Sequence, residues 1–291
     1  MLYGVGKLGA KAKSGAGAGA VAGVSGPEAN SFEFDLSKAE PTNDFNSFLS
    51  GDARGVQFNA DGTKLFFSGS NSTTLTEVSL STGYDIRTAS GSATTHTLTY
   101  GATGIKFADS GNKFYTIDFT ATGANDAVVQ YDLTTAYDFT TASYTRQFNV
   151  KTATSDDCDF GIGIEFKTDG TKMFVFDIID DKWFEFSLST AFDISTASFT
   201  DSFDTTSQDS QQNGLTFNTD GTKMYVVGMT NDKAYEYTLS TGFDVSTATY
   251  DNVSFQGTAQ SLYVVHGMEF SYDGTNLYIL DAKANPNTLG I

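Results

Sequence analysis

One phrase is copied five times along this chain, and no other feature limits its fold so tightly. The clearest copy reads Gly-Leu-Thr-Phe-Asn-Thr-Asp-Gly-Thr-Lys-Met-Tyr-Val-Val-Gly from Gly214 to Gly228; the others begin at Gly55, Gly104, Gly163 and Gly267. Each has an apolar–polar alternation, a glycine turn, and a run of aromatic and β-branched residues, which is the pattern of two short strands in a hairpin. The turn glycines Gly62, Gly111, Gly170, Gly221 and Gly274 lie 49, 59, 51 and 53 residues apart. Self-similarity at a period of about 40–50 residues marks a propeller or a solenoid. A second phrase, Leu-Ser-Thr-Gly-Phe-Asp-Val-Ser-Thr-Ala-Thr from Leu239 to Thr249, recurs from Leu80, Leu133 and Leu188 in step with the first. Two phrases locked in one period are one supersecondary unit, copied.

The unit that opens at Gly214 shows what is copied. Leu215 and Phe217 alternate with Thr216 and Asn218, Asn218 to Gly221 forms a turn, and Lys223 to Val227 is a second strand. Ala234 to Thr238 makes a third strand, and Thr249 to Phe255 a fourth after a longer connection. Four short antiparallel strands describe a propeller blade. The count predicts an all-β, five-bladed β-propeller over residues 31–291, preceded by an extended Gly/Ala-rich arm over residues 1–30. Only ten residues follow Asp281, too few for two more strands of the last blade. Ser31 to Ser37 reads like Ala234 to Ser240, and Asp44 to Phe48 like an outer strand. N-terminal strands are therefore expected to complete the last blade, within the chain or by a swap between subunits. Phe66, Tyr115, Phe174, Tyr225 and Tyr278 hold equivalent places on second strands and should pack between blades.

Phe217 to Gly228 combined with Leu239 to Ala248 resembles the β-propeller repeat proteins encoded by tailed bacteriophages, especially marine ones. The resemblance covers residues 31–291. It implies a non-enzymatic virion component with no catalytic residues: a tail fibre, head appendage or decoration protein, oligomeric on the particle and in contact with a host surface or glycan. The segment before the repeats looks like the short particle-anchoring stretch of phage appendage proteins. By that resemblance Leu2, Tyr3, Lys7, Lys11 and Lys13 would bind other virion proteins. The Trp-Asp dipeptide of WD-type repeats is missing, as is any coiled-coil shaft. A bacterial surface or secreted adhesin would carry an export signal, and Ala16 to Val24 is too Gly-rich for one. A propeller hydrolase would place a metal or a pair of acids in the central channel.

The net charge is −18, yet residues 1–30 hold three lysines against Glu28 alone, so the repeats carry all of the acidic excess. Such a body repels phosphate backbones, which argues against nucleic-acid binding, and it draws cations or basic partners. No stretch is long and apolar enough to span a membrane as a helix. The single cysteine, Cys158, excludes an intramolecular disulfide.

The chemistry of the sequence is sparse. The two histidines, His96 and His266, fall in different units without a motif around either. Most aspartates recur with the repeat: Asp61, Asp169, Asp220 and Asp273 at the turn, and Asp85, Asp138, Asp193 and Asp244 in the connection. Residues copied with a backbone are explained by that backbone, through side-chain-to-main-chain bonds. A catalytic pair should break the repeat. No cofactor is expected; Asp156, Asp157 and Asp159, around Cys158, form the only acidic loop that suggests Ca²⁺, and their spacing is not that of an EF-hand. The fourth-to-first-strand loops vary between units, so Asp157, Gln211, Gln212, Asn213, Gln260 and His266 are the candidates for ligand contact.

Overall fold

A computed structural model of the chain describes residues 2–7, 34–38, 44–46, 53–70, 72–89, 92–119, 126–155, 158, 161–256 and 265–281. It is an all-β propeller of repeated four-stranded antiparallel sheets, five in number. The N-terminal strands are β1 (Leu2–Lys7) and β2 (Asp44–Asn46). Four sheets then follow, each from one continuous stretch of chain. The first has β3 (Ala53–Phe58), β4 (Lys64–Gly69), β5 (Ser72–Ser79) and β6 (Thr94–Ala102). The second has β7 (Ile105–Ala108), β8 (Lys113–Asp118), β9 (Ala127–Leu133) and β10 (Ala142–Asn149). The third has β11 (Gly161–Phe166), β12 (Lys172–Asp177), β13 (Lys182–Leu188) and β14 (Ala197–Asp204). The fourth has β15 (Gln212–Phe217), β16 (Lys223–Gly228), β17 (Lys233–Leu239) and β18 (Ala248–Gln256).

The remaining sheet is composite. Its inner strands are β19 (Val265–Phe270) and β20 (Asn276–Asp281), and β1 and β2 complete it in the order β19-β20-β1-β2. The chain ends therefore meet in one sheet, but the third strand is not the one the sequence suggests. Leu2 to Lys7 lies against β20, from Leu2 opposite Leu280 to Lys7 opposite Asn276. Residues 34–38 instead repeat the second phrase. Phe34-Asp35-Leu36-Ser37 aligns with Phe243-Asp244-Val245-Ser246, and Leu36–Lys38 forms the same short 3₁₀ turn as Val245–Thr247. Two hydrogen bonds fix this alignment. Phe34 N donates to Gly274 O at 3.2 Å, as Phe243 N does to Gly221 O at 3.0 Å. Leu36 N donates to Glu236 at 3.0 Å, as Val245 N does to Glu185 at 3.1 Å. The arm expected over residues 1–30 thus contributes Leu2–Lys7 to the propeller; residues 8–33 lie outside the described part.

The sheets succeed one another in a ring, β3 beside β7, then β11, β15 and β19, with β19 back beside β3. Glycine permits that approach. A Cβ on Gly104 would lie 2.5 Å from Ile162 O, one on Gly55 2.8 Å from Thr103 O, and one on Gly267 2.9 Å from Arg54 O. Outside this waist, aromatic rings fill the wedge between sheets. Phe66, Tyr115, Phe174, Tyr225 and Tyr278 each pack on the first-strand phenylalanine of the next sheet, with ring centroids 4.6, 4.4, 4.8, 4.9 and 4.6 Å apart. The fifth of these contacts, Tyr278 on Phe58, joins the last sheet to the first.

Two substitutions test this architecture. Gly104→Ala should destabilise the fold by roughly 1–3 kcal/mol in urea denaturation, because its methyl meets a backbone carbonyl that cannot move aside. Deleting residues 1–7 removes β1 from between β20 and β2; a lowered melting temperature and concentration-dependent association should follow from the bared edge of β20. Unchanged melting and a monomeric profile would show that β1 is dispensable.

Candidate functional site

The inner strands share an apolar-x-Phe signature, and strand alternation turns the middle residue toward the channel axis. Those five residues are Gln57, Lys106, Glu165, Thr216 and Glu269. The flanking apolar residues and phenylalanines are buried between sheets, with Phe58 at 4% and Phe107 at 4% exposure. Structure is copied at this level of the ring, but chemistry is not. The polar residues form the floor of a cavity of about 730 Å³ that opens at the end carrying the glycine turns. Sequence reasoning missed this site because each residue, taken in its own repeat, is an unremarked polar position in a strand. The signal was present as five unlike residues in five like frames.

The floor is electrostatically uneven. Gln57 is held at both ends by the next sheet: its Nε2 donates to Phe107 O at 3.3 Å, and its Oε1 accepts from Phe107 N. Lys106 Nζ donates to Glu165 Oε2 at 2.8 Å, while Glu165 Oε1 accepts from Phe166 N at 2.8 Å. Both oxygens of Glu165 therefore already have a donor. Glu269 has only Lys106 Nζ, at 3.9 Å, as an ionic partner among the described residues. Burial raises the Glu269 carboxyl to about 7; Lys106 pulls it down and Glu165 pushes it further up. Burial alone would lower Lys106, but Glu165 and then Glu269 outweigh it and hold the ammonium above its ordinary value.

The rim above this floor carries Tyr272, 83% exposed, where the other four turns have Ala60, Asp109, Thr168 and Thr219. Aromatic residues make up much of the rest of the wall, among polar turn residues such as Asn59, Ser110, Lys167 and Asn218. Tyr84, Tyr137, Phe192, Phe243 and Phe34 all sit at positive φ, between 55° and 60°, each with its ring against the turn glycine of its own sheet.

The turn aspartates are committed to the backbone, as the repeat implies, and so are the connection aspartates except Asp244, whose carboxylate accepts only from the Ser246 hydroxyl at 2.6 Å. Asp61 accepts from Thr63 N at 3.0 Å, Asp169 from Thr171 N at 2.9 Å, Asp220 from Thr222 N at 2.9 Å and Asp273 from Thr275 N at 3.1 Å. Asp138 and Asp193 cap their 3₁₀ turns in the same way, through Thr140 N and Ser195 N at 3.0 Å.

The candidate residues read from the sequence do not gather at this cavity. His266 and Asn213 line a much smaller space, about 40 Å³, at the other end of the channel beside Arg54. Gln212 and Asn213 are not surface loop residues: β15 takes both into its buried run. Gln212 Nε2 donates to Thr205 O at 2.8 Å and Asn213 Nδ2 to Val265 O at 3.2 Å, so both brace neighbouring backbone. Gln211 is exposed, with its N–H on Asp209 at 3.1 Å. His96 sits on β6 with Nε2 3.0 Å from Glu77 Oε2. Leu2, Tyr3 and Lys7 belong to β1, so their backbone is engaged in the composite sheet. Lys11, Lys13, Asp156, Asp157, Asp159 and Gln260 lie outside the described residues. Among the described residues no cluster of three or more His, Cys, Asp or Glu could hold a metal, and no helix is long and apolar enough to cross a membrane.

No family model and no curated protein matches this chain. Solved structures do. A chain of the nidogen/laminin complex superposes with a TM-score of 0.50 at 14% identity, covering 87% of this chain and 80% of that one. A functionally unknown protein from Desulfotomaculum acetoxidans matches with a TM-score of 0.47 at 11% identity, over 80% of this chain and 63% of its own. The periplasmic gluconolactonase of Pseudomonas aeruginosa gives 0.43 at 13% identity, over 71% and 54%. This chain thus spans less than two thirds of the length of the latter two. At these identities the likeness concerns the propeller fold alone.

The Glu269 environment makes a prediction about pH. Between its ordinary value of 4.5 and about 7 the folded state holds a proton that the unfolded state has released. Stability contributed by this site therefore falls as pH rises through that window, by up to about 1.4 kcal/mol per pH unit. Glu269→Gln removes the titration. Urea denaturation at pH 5 and pH 7.5 should show the variant gaining on the wild type at the higher pH; parallel behaviour of the two proteins would contradict the burial argument.

Proposed function

We propose that this protein is a non-enzymatic structural component of a phage particle, a propeller of five sheets displayed on the virion with one channel mouth facing outward. The observation that carries the reading is the copied pair of phrases, which resembles the repeats of tailed-phage propeller proteins and which the fold uses in every sheet. The commitment of the repeated aspartates to backbone bonds supports the non-enzymatic part: acids that cap turns are not free for proton transfer. Attachment to other virion proteins falls to residues 8–30, with Lys11 and Lys13, because Leu2–Lys7 is occupied in the composite sheet. Clustered copies on the particle would then present several channel mouths to a host surface.

Mass spectrometry of density-purified particles from a producing culture tests this. The protein should co-purify at a fixed ratio to the major capsid protein, and Lys11→Glu with Lys13→Glu should lower that ratio while the propeller stays folded. Absence from washed particles would overturn the reading.

One observation favours a second reading, a propeller hydrolase. Glu165 and Glu269 flank Lys106 in the channel, one ion-paired at 2.8 Å and the other raised to about 7. One carboxyl raised by burial beside a second held in an ion pair is an arrangement from which acid–base pairs are built. Turnover in a glycosidase or esterase screen, abolished by Glu269→Gln, would establish that reading instead.

A further inference from the structure

From the floor and rim of the large channel mouth we infer a binding site for a neutral, hydroxyl-rich ligand, a mono- or disaccharide unit, held between Lys106 and Glu269 and stacked on Tyr272. The inference goes beyond the virion reading and stands on the channel alone, so the particle test can fail without touching it.

Three observations converge. The first is a gap. Lys106 Nζ and the Glu269 carboxylate face each other at 3.9 Å, too far for a direct hydrogen bond and close enough for one oxygen to reach both. A hydroxyl can accept from the ammonium and donate to the carboxylate at once, whereas an amine can only donate and a carboxylate only accept. The neighbouring positions are already satisfied: Glu165 by Lys106 and Phe166 N, and Gln57 by the backbone of Phe107. The floor thus presents a donor beside an acceptor, with the Thr216 hydroxyl as a further polar group on the same cavity.

The second is the rim. Tyr272 is the one turn residue of its kind in the five copies, and its ring is left in solvent instead of packing on the next sheet. An exposed planar ring beside a polar floor offers its face to the C–H side of a sugar ring while the hydroxyls point down to Lys106 and Glu269. The third is size. A cavity of about 730 Å³ lies within the range that holds small organic ligands, and its lining mixes aromatic rings with polar side chains.

The acidic body also draws cations toward the channel. Lys106 stands in the floor against them, and Glu165 is already spent on it. An organic cation is therefore the competing occupant that the experiment must separate.

The test is ligand-observed NMR and calorimetry on the full chain, at a pH well above 7 so that Glu269 is ionised, with a panel of glucose, galactose, rhamnose and N-acetylglucosamine and their methyl glycosides and β-linked disaccharides, with choline and putrescine as cationic probes. At least one saccharide should bind saturably and be recovered intact. Glu269→Gln should weaken it about tenfold, as expected for a hydrogen bond to a charged group replaced by a neutral one. Tyr272→Ala, at an exposed position that leaves the fold alone, should weaken the same sugar about fivefold, and Gln211→Ala at the opposite end should leave it unchanged. Binding of choline or putrescine in place of any sugar, no binding across the panel at 20 mM (about the weakest affinity such a contact set would give), or sugar binding indifferent to both Glu269 and Tyr272 would each overturn the inference. Hydrolysis of the bound saccharide would overturn it in favour of the hydrolase.

Discussion

Everything else in this molecule depends on how closely five strands can stand around an axis. At the level of Gly55, Gly104, Gly163, Gly214 and Gly267 the inner strands come so near that a Cβ would meet the neighbouring main chain or the side chains it packs on. Side chains would hold the strands apart and the ring would not close on five sheets. With glycine there, each sheet can sit as a wedge, narrow at the axis and wide outside. Because the strands diverge from that waist, one end of the channel has room for long side chains and a cavity, and the other keeps only about 40 Å³. The cavity is a geometric consequence of the glycines, and its chemistry is set by whichever residues stand two positions beyond them.

Once the waist fixes the wedge, the gap between sheets has to be filled, and aromatic rings fill it in an unbroken relay. The connection aromatics Tyr84, Tyr137, Phe192, Phe243 and Phe34 complete each turn from positive φ, a conformation that costs about 1 kcal/mol or more for a residue with a Cβ. Stacking contacts of about 0.5–1.5 kcal/mol each offset this, and so does the hydrogen bond from each aromatic N–H to the turn glycine carbonyl. The carbonyl of each of these residues also needs a donor, and two solutions appear. Tyr115, Tyr225 and Tyr278 donate their hydroxyls to Phe192, Phe34 and Tyr84. Where the second strand carries Phe66 or Phe174, the ammonium of Lys64 or Lys172 takes over, reaching Tyr137 O at 3.2 Å and Phe243 O at 2.8 Å. The second-strand ring can be Phe or Tyr because a lysine at the strand start can supply the missing donor.

The copied part of this structure was legible in the sequence because repetition does the averaging that a single segment cannot. Strand limits in the unit at Gly214, the turn glycines, the second-strand aromatics and the backbone role of Asp61, Asp169, Asp220 and Asp273 all follow from five aligned examples. Legibility stopped where a copy is split. Ser31 to Ser37 shares its alternating aromatics with a third strand, but Phe34-Asp35 also carries the aromatic-Asp pair that starts the 3₁₀ connection, and the glycine lock on Gly274 selects the second alignment. The strand that the connection then requires comes from Leu2–Lys7, whose Gly-rich sequence has no resemblance to Ala234–Thr238 and is recruited by the open edge of β20. A bare edge in a closed ring is a strong enough demand to use a sequence with little strand character of its own.

The site was illegible for the opposite reason. Repetition directs attention to what agrees, and the floor of the channel is made of what disagrees. In a ring of like sheets, each equivalent position points at one shared volume, so a difference between copies is the only way the fold can make that volume chemically directional. Gln57 and Glu165 turn back to bind main chain and serve the wall, while Lys106 and Glu269 are left facing each other across it. An ion pair of ideal geometry there would have closed the channel with a satisfied contact. Held at 3.9 Å instead, the pair leaves a space that one oxygen atom can enter, two residues beyond the glycines that bring their strands together.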